Sequence, residues 1–386
     1  MLTLPTSEGR LEPYRLMGDP LIPRFPDVAL TRTAFAAAHV VSDPLKERSP
    51  WDTRPAVDWD ATLAFRQGLW DQGFGLAEAM DTAQRGMGVD WDTAYQVIKR
   101  SLVAAKAHPE KPRVACGAGT DHVSLEALQT EADIRAAYGH QAEAIEALGG
   151  QLILMASRAF TQINASPDTY HNVYRSLIDN AAEPVILHWL GDMFDPALTG
   201  YWGYKDVDDA SDFVLQLIAE NPTKVDGIKI SLLDQPHEER FRARLPNGVR
   251  LYTGDDFNYA DLIAGDGTFY SHALLGIFAA IAPAASQALE AMAKGDLRTY
   301  HTLLEPTLPL SREIFKAPTR YYKAGIAFLS WINGTQGHFV MPAGMQSSRD
   351  ITHYSNVFRL ADQARLLTQP DLAEQRMKTL LSLHGI

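Results

Sequence analysis

Apolar and polar positions along the chain follow two alternating periods. Short, mainly apolar runs, which suit strands covered on both faces, are separated by stretches with apolar residues three and four apart, which suit amphipathic helices. The runs are Val28–Ala38, Gly75–Met80, Arg113–Ala118, Gly150–Met155, Pro184–Trp189, Val225–Ser231, Val249–Thr253 and Gly267–Ser271. Helical patterns at Asp60–Gln72, Trp91–Ala107, Ser124–Leu148, Pro167–Ala182 and Asp208–Glu220 lie between them, with a long loop before the first. Strict alternation of strand and helix predicts a parallel sheet, and eight such units predict its closure into a (β/α)8 TIM barrel. The expected organisation is an N-terminal extension over 1–27, the barrel over 28–285 and a C-terminal helical region over 286–386.

Composition narrows the function. Hydrophobic residues make up 46% of 386, enough for a full core. Lys and Arg number 35 against 47 Asp and Glu, a formal charge of −12 with no basic run, which argues against nucleic acid and anionic membranes as partners. Cys116 is the only cysteine, so neither an intrachain disulfide nor a zinc site of several thiolates can form. Met1–Pro26 lacks the apolar core of a signal peptide, and the apolar stretch Ala273–Ala285 is too short to span a bilayer. A soluble cytoplasmic protein acting on a small molecule is the expectation.

Barrels of this kind place their chemistry at the C-terminal ends of the strands. Those ends carry His39, then Glu78 with Asp81 and Thr82, then Asp121 with His122. Ser157 and Arg158 follow, then His188, Lys229, Asp255 with Asp256, and Ser271 with His272. Lys229 is the most informative. Its strand, Val225-Asp226-Gly227-Ile228-Lys229-Ile230-Ser231, should be buried on both faces, where an ammonium is costly unless paired, neutral or used. A desolvated lysine loses its proton readily and attacks carbonyl carbons. The alternative is a structural pairing with a buried aspartate such as Asp255. His188 is either a proton carrier, with a reference pKa of ~6.5, or a strand-end ring bonded to a backbone carbonyl.

Several other groups have two readings. One of Asp255 and Asp256 is expected to cap the next helix, and one of Asp121 and His122 to start its own. The aromatics Trp189, Phe194, Tyr201, Trp202 and Tyr204 could stack on a sugar, but subunit-interface packing is the favoured use. Tyr321–Trp331 has the spacing of a bundle core. No Gly-rich phosphate loop follows the first strand, so no organic cofactor is implied.

Over roughly 57 to 320 the chain resembles the dihydrodipicolinate synthase and N-acetylneuraminate lyase family of class I aldolases, as a divergent member. The likeness rests on Tyr170–Leu187, the Gly227-Ile228-Lys229 core, Thr253-Gly254-Asp255-Asp256, the length of the Met80–Asp92 loop and the position of the helical tail. The resemblance implies a Schiff base between Lys229 and a keto substrate, a lyase or aldolase reaction, and a dimer or tetramer. It places the family's proton-relay tyrosine at His188 and its paired threonines at Asp81 and Thr82. An aspartate would repel the carboxylate those threonines hold, and the arginine that some members carry five residues after the tyrosine is Met193 here. A keto-sugar or sugar-derived compound therefore suits the site better than pyruvate. Lys229 and His188 are the expected catalytic pair. Asp81, Thr82, Asp121, His122, Ser157, Asp255 and His272 are the expected substrate contacts.

Two rival readings use the same scaffold. Glu78, Asp121, His188, Asp255 and His272 could converge on a divalent metal ion, as in sugar isomerase or lyase barrels. The barrel could also bind a sugar or keto compound without turning it over.

Overall fold

A computed structural model describes residues 2–46 and 55–386; part of the long loop expected after the first strand, residues 47–54, lies outside these. An antiparallel hairpin of β1 (Leu2–Pro5) and β2 (Leu11–Tyr14) precedes the barrel. The barrel strands are β3 (Ala34–Ala37), β4 (Gly75–Glu78), β5 (Val114–Ala118), β6 (Gln151–Leu154), β7 (Val185–Leu190), β8 (Val225–Ser231), β9 (Arg250–Thr253) and β10 (His272–Leu275). Neighbours pair in parallel and β10 closes onto β3, so the fold is the (β/α)8 barrel.

The outer layer begins with α1 (Trp59–Trp70), α2 (Trp91–Ala107) and α3 (Glu131–Glu146). A short α4 (Arg158–Gln162) precedes α5 (Pro167–Asn180), and α6 (Val207–Glu220), α7 (Gln235–Arg242), α8 (Tyr259–Ala264) and α9 (Phe278–Ala293) complete it. Many of these helices start where a short polar side chain can take an orphaned N–H. Asp58, Asp90, Ser166, Asp206 and Asp234 do so, and Thr130 with Asp133 forms a full capping box. The tail continues as α10 (Leu297–Leu304), α11 (Leu308–Ile314), α12 (Lys323–Ile332), α13 (Ile351–Gln363) and α14 (Pro370–Leu383). The hairpin is tied to this tail by Arg359, which donates to the carbonyls of Leu4 and Pro5. No described helix is long and apolar enough to cross a membrane.

Five expectations need correction. The helix expected over Ser124–Leu148 is α3, which begins at Glu131 behind its Thr130 cap, so neither Asp121 nor His122 starts it. The first strand is only Ala34–Ala37, because Val28 and its neighbours are exposed ahead of the barrel. The eighth strand is His272–Leu275 rather than Gly267–Ser271. Gly265 and Gly267 take positive φ around Asp266, whose carboxylate accepts the Thr268 and Phe269 N–H groups, so that stretch is a turn. Helix α9 runs through residue 285, the expected end of the barrel. Finally, Trp189, Phe194, Tyr201 and Trp202 are buried within the chain itself. Trp202 packs 4.7 Å from the Tyr174 ring, under helix α5, rather than at a subunit interface.

Inside the barrel, alternate residues of the strands form a core separate from the one under the helices: Phe35, Ala37, Ala77, Ala115, Ile153, Ile186, Tyr252 and Leu274. This apolar plug fills the lower barrel. The polar side chains sit above it.

Candidate active site

Strand alternation decides which residues of β8 look inward. At Gly227 a Cβ would stand 2.7 Å from the Tyr252 ring, part of the inner plug, so Gly227, Lys229 and Ser231 share the inner face. On β9, a Cβ at Gly254 would lie 2.1 Å from Ser231 Oγ and 2.7 Å from Lys229 Cε. Glycine is needed there to leave room for the lysine. Lys229 is 9% exposed, and its amine has no hydrogen bond or ion pair to any described residue. Burial lowers its pKa, while Asp81 and then Asp256 oppose the shift.

His188 stands directly across from Lys229 in the β7–β8 register. It is buried, and neither ring nitrogen has a hydrogen-bond partner. Burial, reinforced by the Lys229 charge, holds its pKa well below the usual histidine value, so the ring is neutral at pH 7. A neutral ring with an unoccupied nitrogen can accept a proton from a bound hydroxyl.

Asp256 completes the group. Its carboxyl accepts the Ile277 N–H at 3.1 Å and is pushed up to about 8 by burial, against the pull of Lys229. The two groups influence each other's charge without a hydrogen bond between them, and a proton held by Asp256 rather than Lys229 would leave both neutral. Asp255 points elsewhere. It accepts the N–H groups of Phe257 and Asn258 at 2.8 and 3.0 Å and the Asn258 side chain at 2.9 Å, a helix-start arrangement. Asp255 is thus the helix-start carboxylate and Asp256 the one whose charge acts on Lys229, and the structural pairing of Lys229 with Asp255 is absent.

A cavity of about 270 Å³ opens at this end of the barrel, with Asp81, Thr120, Asp121, Met155 and Ser157 in its wall. Lys229 is not part of that wall, but Asp81, which is, is the strongest charge acting on it. Asp121 is clamped by the Arg85 guanidinium and by Gln141 at 2.9 Å. Burial works against its ionisation, yet Arg85 holds its pKa below the usual carboxylate value. Ser157 Oγ lies 2.6 Å from Thr120 Oγ1. Thr82 is tied at 2.8 Å to the hydroxyl of Tyr322, which stacks on Phe315 with ring centroids 4.3 Å apart.

The remaining expected contacts lie outside this group. His122 bonds Gln141 at 3.0 Å and stacks on His140, behind the cavity wall. His272 begins β10, at the opposite end of the barrel, and its Nδ1 accepts the Thr33 N–H at 2.8 Å. Glu78 points outward to Arg66, with bonds of 2.7 and 2.8 Å, and to Ser101 at 2.6 Å. The five residues considered as metal ligands therefore do not converge. No three His, Cys, Asp or Glu side chains cluster as a cation site among the described residues.

Sequence reasoning missed Tyr322 and Lys323, which reach the mouth from the tail. It read their tract as bundle core, and helical spacing gives no sign that one turn of it faces a cavity. Asp256 could have been chosen over Asp255 by parity, since it lies two residues beyond the inward Gly254.

Solved structures share this architecture. YagE, a prophage protein of the dihydrodipicolinic acid synthase family from E. coli K12 in complex with pyruvate, superposes with TM-score 0.65 at 13% identity, over 88% of this chain and 100% of its own. A putative dihydrodipicolinate synthetase from Pseudomonas aeruginosa gives 0.63 at 16%, over 86% and 99%. Dihydrodipicolinate synthase from Aquifex aeolicus gives 0.60 at 12%, over 92% and 98%. The fold expected from the sequence resemblance is thus the fold observed. No curated protein matches the chain. At the level of sequence the match is to one family model, described as protein of unknown function (DUF993), which spans residues 2–386: the chain belongs to that family.

Proposed function

We propose that this protein is a class I aldolase-type lyase that forms a Schiff base between Lys229 and a small carbonyl compound. The observation that carries the reading is the unpaired, buried Lys229 amine facing a neutral His188 with both nitrogens unoccupied. Burial makes the amine easier to deprotonate and so a better nucleophile, and Asp256, raised to about 8, is a group that could take the proton it gives up.

The steps follow from these groups. The neutral amine adds to the carbonyl carbon, the oxygen takes up protons and leaves as water, and a protonated imine remains. That imine withdraws electrons from the adjacent carbon. His188 takes the proton of a hydroxyl one carbon further out, the carbon–carbon bond breaks, and its electron pair forms an enamine. Protonation of the enamine and hydrolysis of the imine restore Lys229. Loss of a hydroxyl as water from the same position would be the carbon–oxygen version.

Asp81 disfavours a carboxylate beside the reacting carbonyl, so a hydroxylated ketone or aldehyde of sugar origin suits the site better than pyruvate. Because Lys229 stands outside the cavity wall, a side chain in that wall must shift to admit the carbonyl carbon.

The test is intact mass after borohydride reduction with a panel of keto-sugars and keto acids. A single adduct is expected on the native chain and none on Lys229→Arg, which keeps the charge and removes the nucleophile. An adduct that persists in Lys229→Arg refutes the assignment. Thermal stabilisation by a ligand without adduct or product would instead identify a binding protein.

A further inference from the structure

The cavity has a second polar feature that the imine chemistry does not use. Four cationic side chains line it: Arg85, Arg158, Arg320 and Lys323. Two of them are neutralised. Arg85 holds Asp121, and Arg158 holds Asp195 through bonds of 2.6 and 3.0 Å. The other two, both from the turn that starts α12, have no carboxylate within 4.0 Å among the described residues. Lys323 is only 3% exposed; its amine donates to the Arg320 carbonyl at 3.0 Å and to Met87 Sδ at 3.5 Å, and lies 4.7 Å from the centre of the Tyr322 ring. A carbonyl, a thioether and a ring face replace water around a buried ammonium only in part, and none of them carries a neutralising charge. The Arg320 guanidinium touches only Tyr321 among the described residues, donating to its hydroxyl at 3.3 Å and lying 5.1 Å from its ring centre.

We propose that Lys323 and Arg320 form an anion-binding subsite, and that the substrate is a small hydroxylated ketone or aldehyde carrying a carboxylate or phosphate group away from its carbonyl. Asp81 lines the same cavity and is the leading charge on both Lys229 and Lys323, so a hydroxylated substrate held there would meet its carboxylate as an acceptor. Arg320 and Lys323 together outweigh that one carboxylate at the tail side of the cavity, whereas Lys229 stands alone, which sets the acid group away from the carbonyl. Burial lowers the Lys323 pKa to about 8, and Arg320 adds to this, while Asp81 opposes it. The amine is therefore mostly charged at neutral pH, and a bound anion would hold it so. Substrate class rests on the lyase reading above; the anion subsite itself does not.

Compounds unable to form an imine test it separately from that reading. Isothermal titration calorimetry of the full chain would use glycerol 3-phosphate, glycerate and uncharged glycerol. Saturable binding of one or both anions and none of glycerol is expected, retained in Lys229→Arg. A preference for the ester or for the acid identifies phosphate or carboxylate as the recognised group. Arg320→Gln, an exposed position that leaves packing intact, and Lys323→Gln should each weaken the anion at least about tenfold, as expected for losing a charge-assisted bond. Absence of saturable anion binding at millimolar concentration, equal binding of glycerol, or an affinity unchanged in Arg320→Gln would overturn the proposal.

Discussion

A histidine with neither ring nitrogen bonded, buried to 1% exposure, is costly to fold and would not persist on packing grounds alone. His188→Phe removes the polar atoms and keeps the volume of a ring, so stability should hold or rise. Turnover should fall by a factor of about 10² or more if the ring moves the substrate proton. Steady-state rates alongside urea denaturation separate the two effects, and near-native turnover in the phenylalanine variant would remove His188 from the mechanism. At this scale Lys229 was legible because a charge inside an apolar strand is conspicuous in any sequence. Asp256 was half legible, since the pair Asp255-Asp256 announces one cap and one free carboxylate without saying which. His272 was misjudged for a reason of register. Shifting the last strand by a few residues moves that side chain from one end of the barrel to the other.

Elements differ in how well their limits can be read. Strand β8 and helix α2 match their sequence patterns end for end, because Asp90 caps the helix and β8 is a short β-rich run bounded by turn residues. The eighth strand has four residues and runs straight into an alanine-rich helix with no polar break, so its apolar signal merges with that of α9. Packing between β8 and β9 makes its own prediction. Gly254→Ala places a methyl within 2.1 Å of Ser231 Oγ and 2.7 Å of Lys229 Cε, with the Ile230 carbonyl at 2.8 Å blocking retreat. Overpacking of this kind costs on the order of 1–3 kcal/mol. It should also displace the lysine, so borohydride trapping should fall even where the variant is folded. Denaturation midpoints and trapping yield measured together check this, and full trapping would show that the amine tolerates the shift.

For the molecule as a whole, buried histidines set an acid limit. Burial lowers His39 and His272 to about 4, takes His188 well below its usual value, and lowers His237 and His353. Each binds its proton more readily unfolded, near ~6.5, so the stability they contribute is present above that pH and declines as pH falls towards about 4. Glu238 and Asp256 act with the opposite sign. Burial raises both to about 8, so their contribution is present below the ordinary carboxylate range and is lost as pH climbs to about 8. The thermal midpoint should therefore peak near pH ~6.5 and decline on both sides. Glu238→Gln, outside the candidate site, should flatten the alkaline limb between pH ~6.5 and ~8. A midpoint that rises steadily across that interval in the native chain would contradict the assignment.

Part of the mouth is supplied by Tyr322 and Lys323, more than forty positions after the last barrel strand. During synthesis all eight strands leave the ribosome before these two residues do. Until the tail arrives, a nascent barrel would present Lys229 without the Tyr322 and Lys323 side chains that border its mouth.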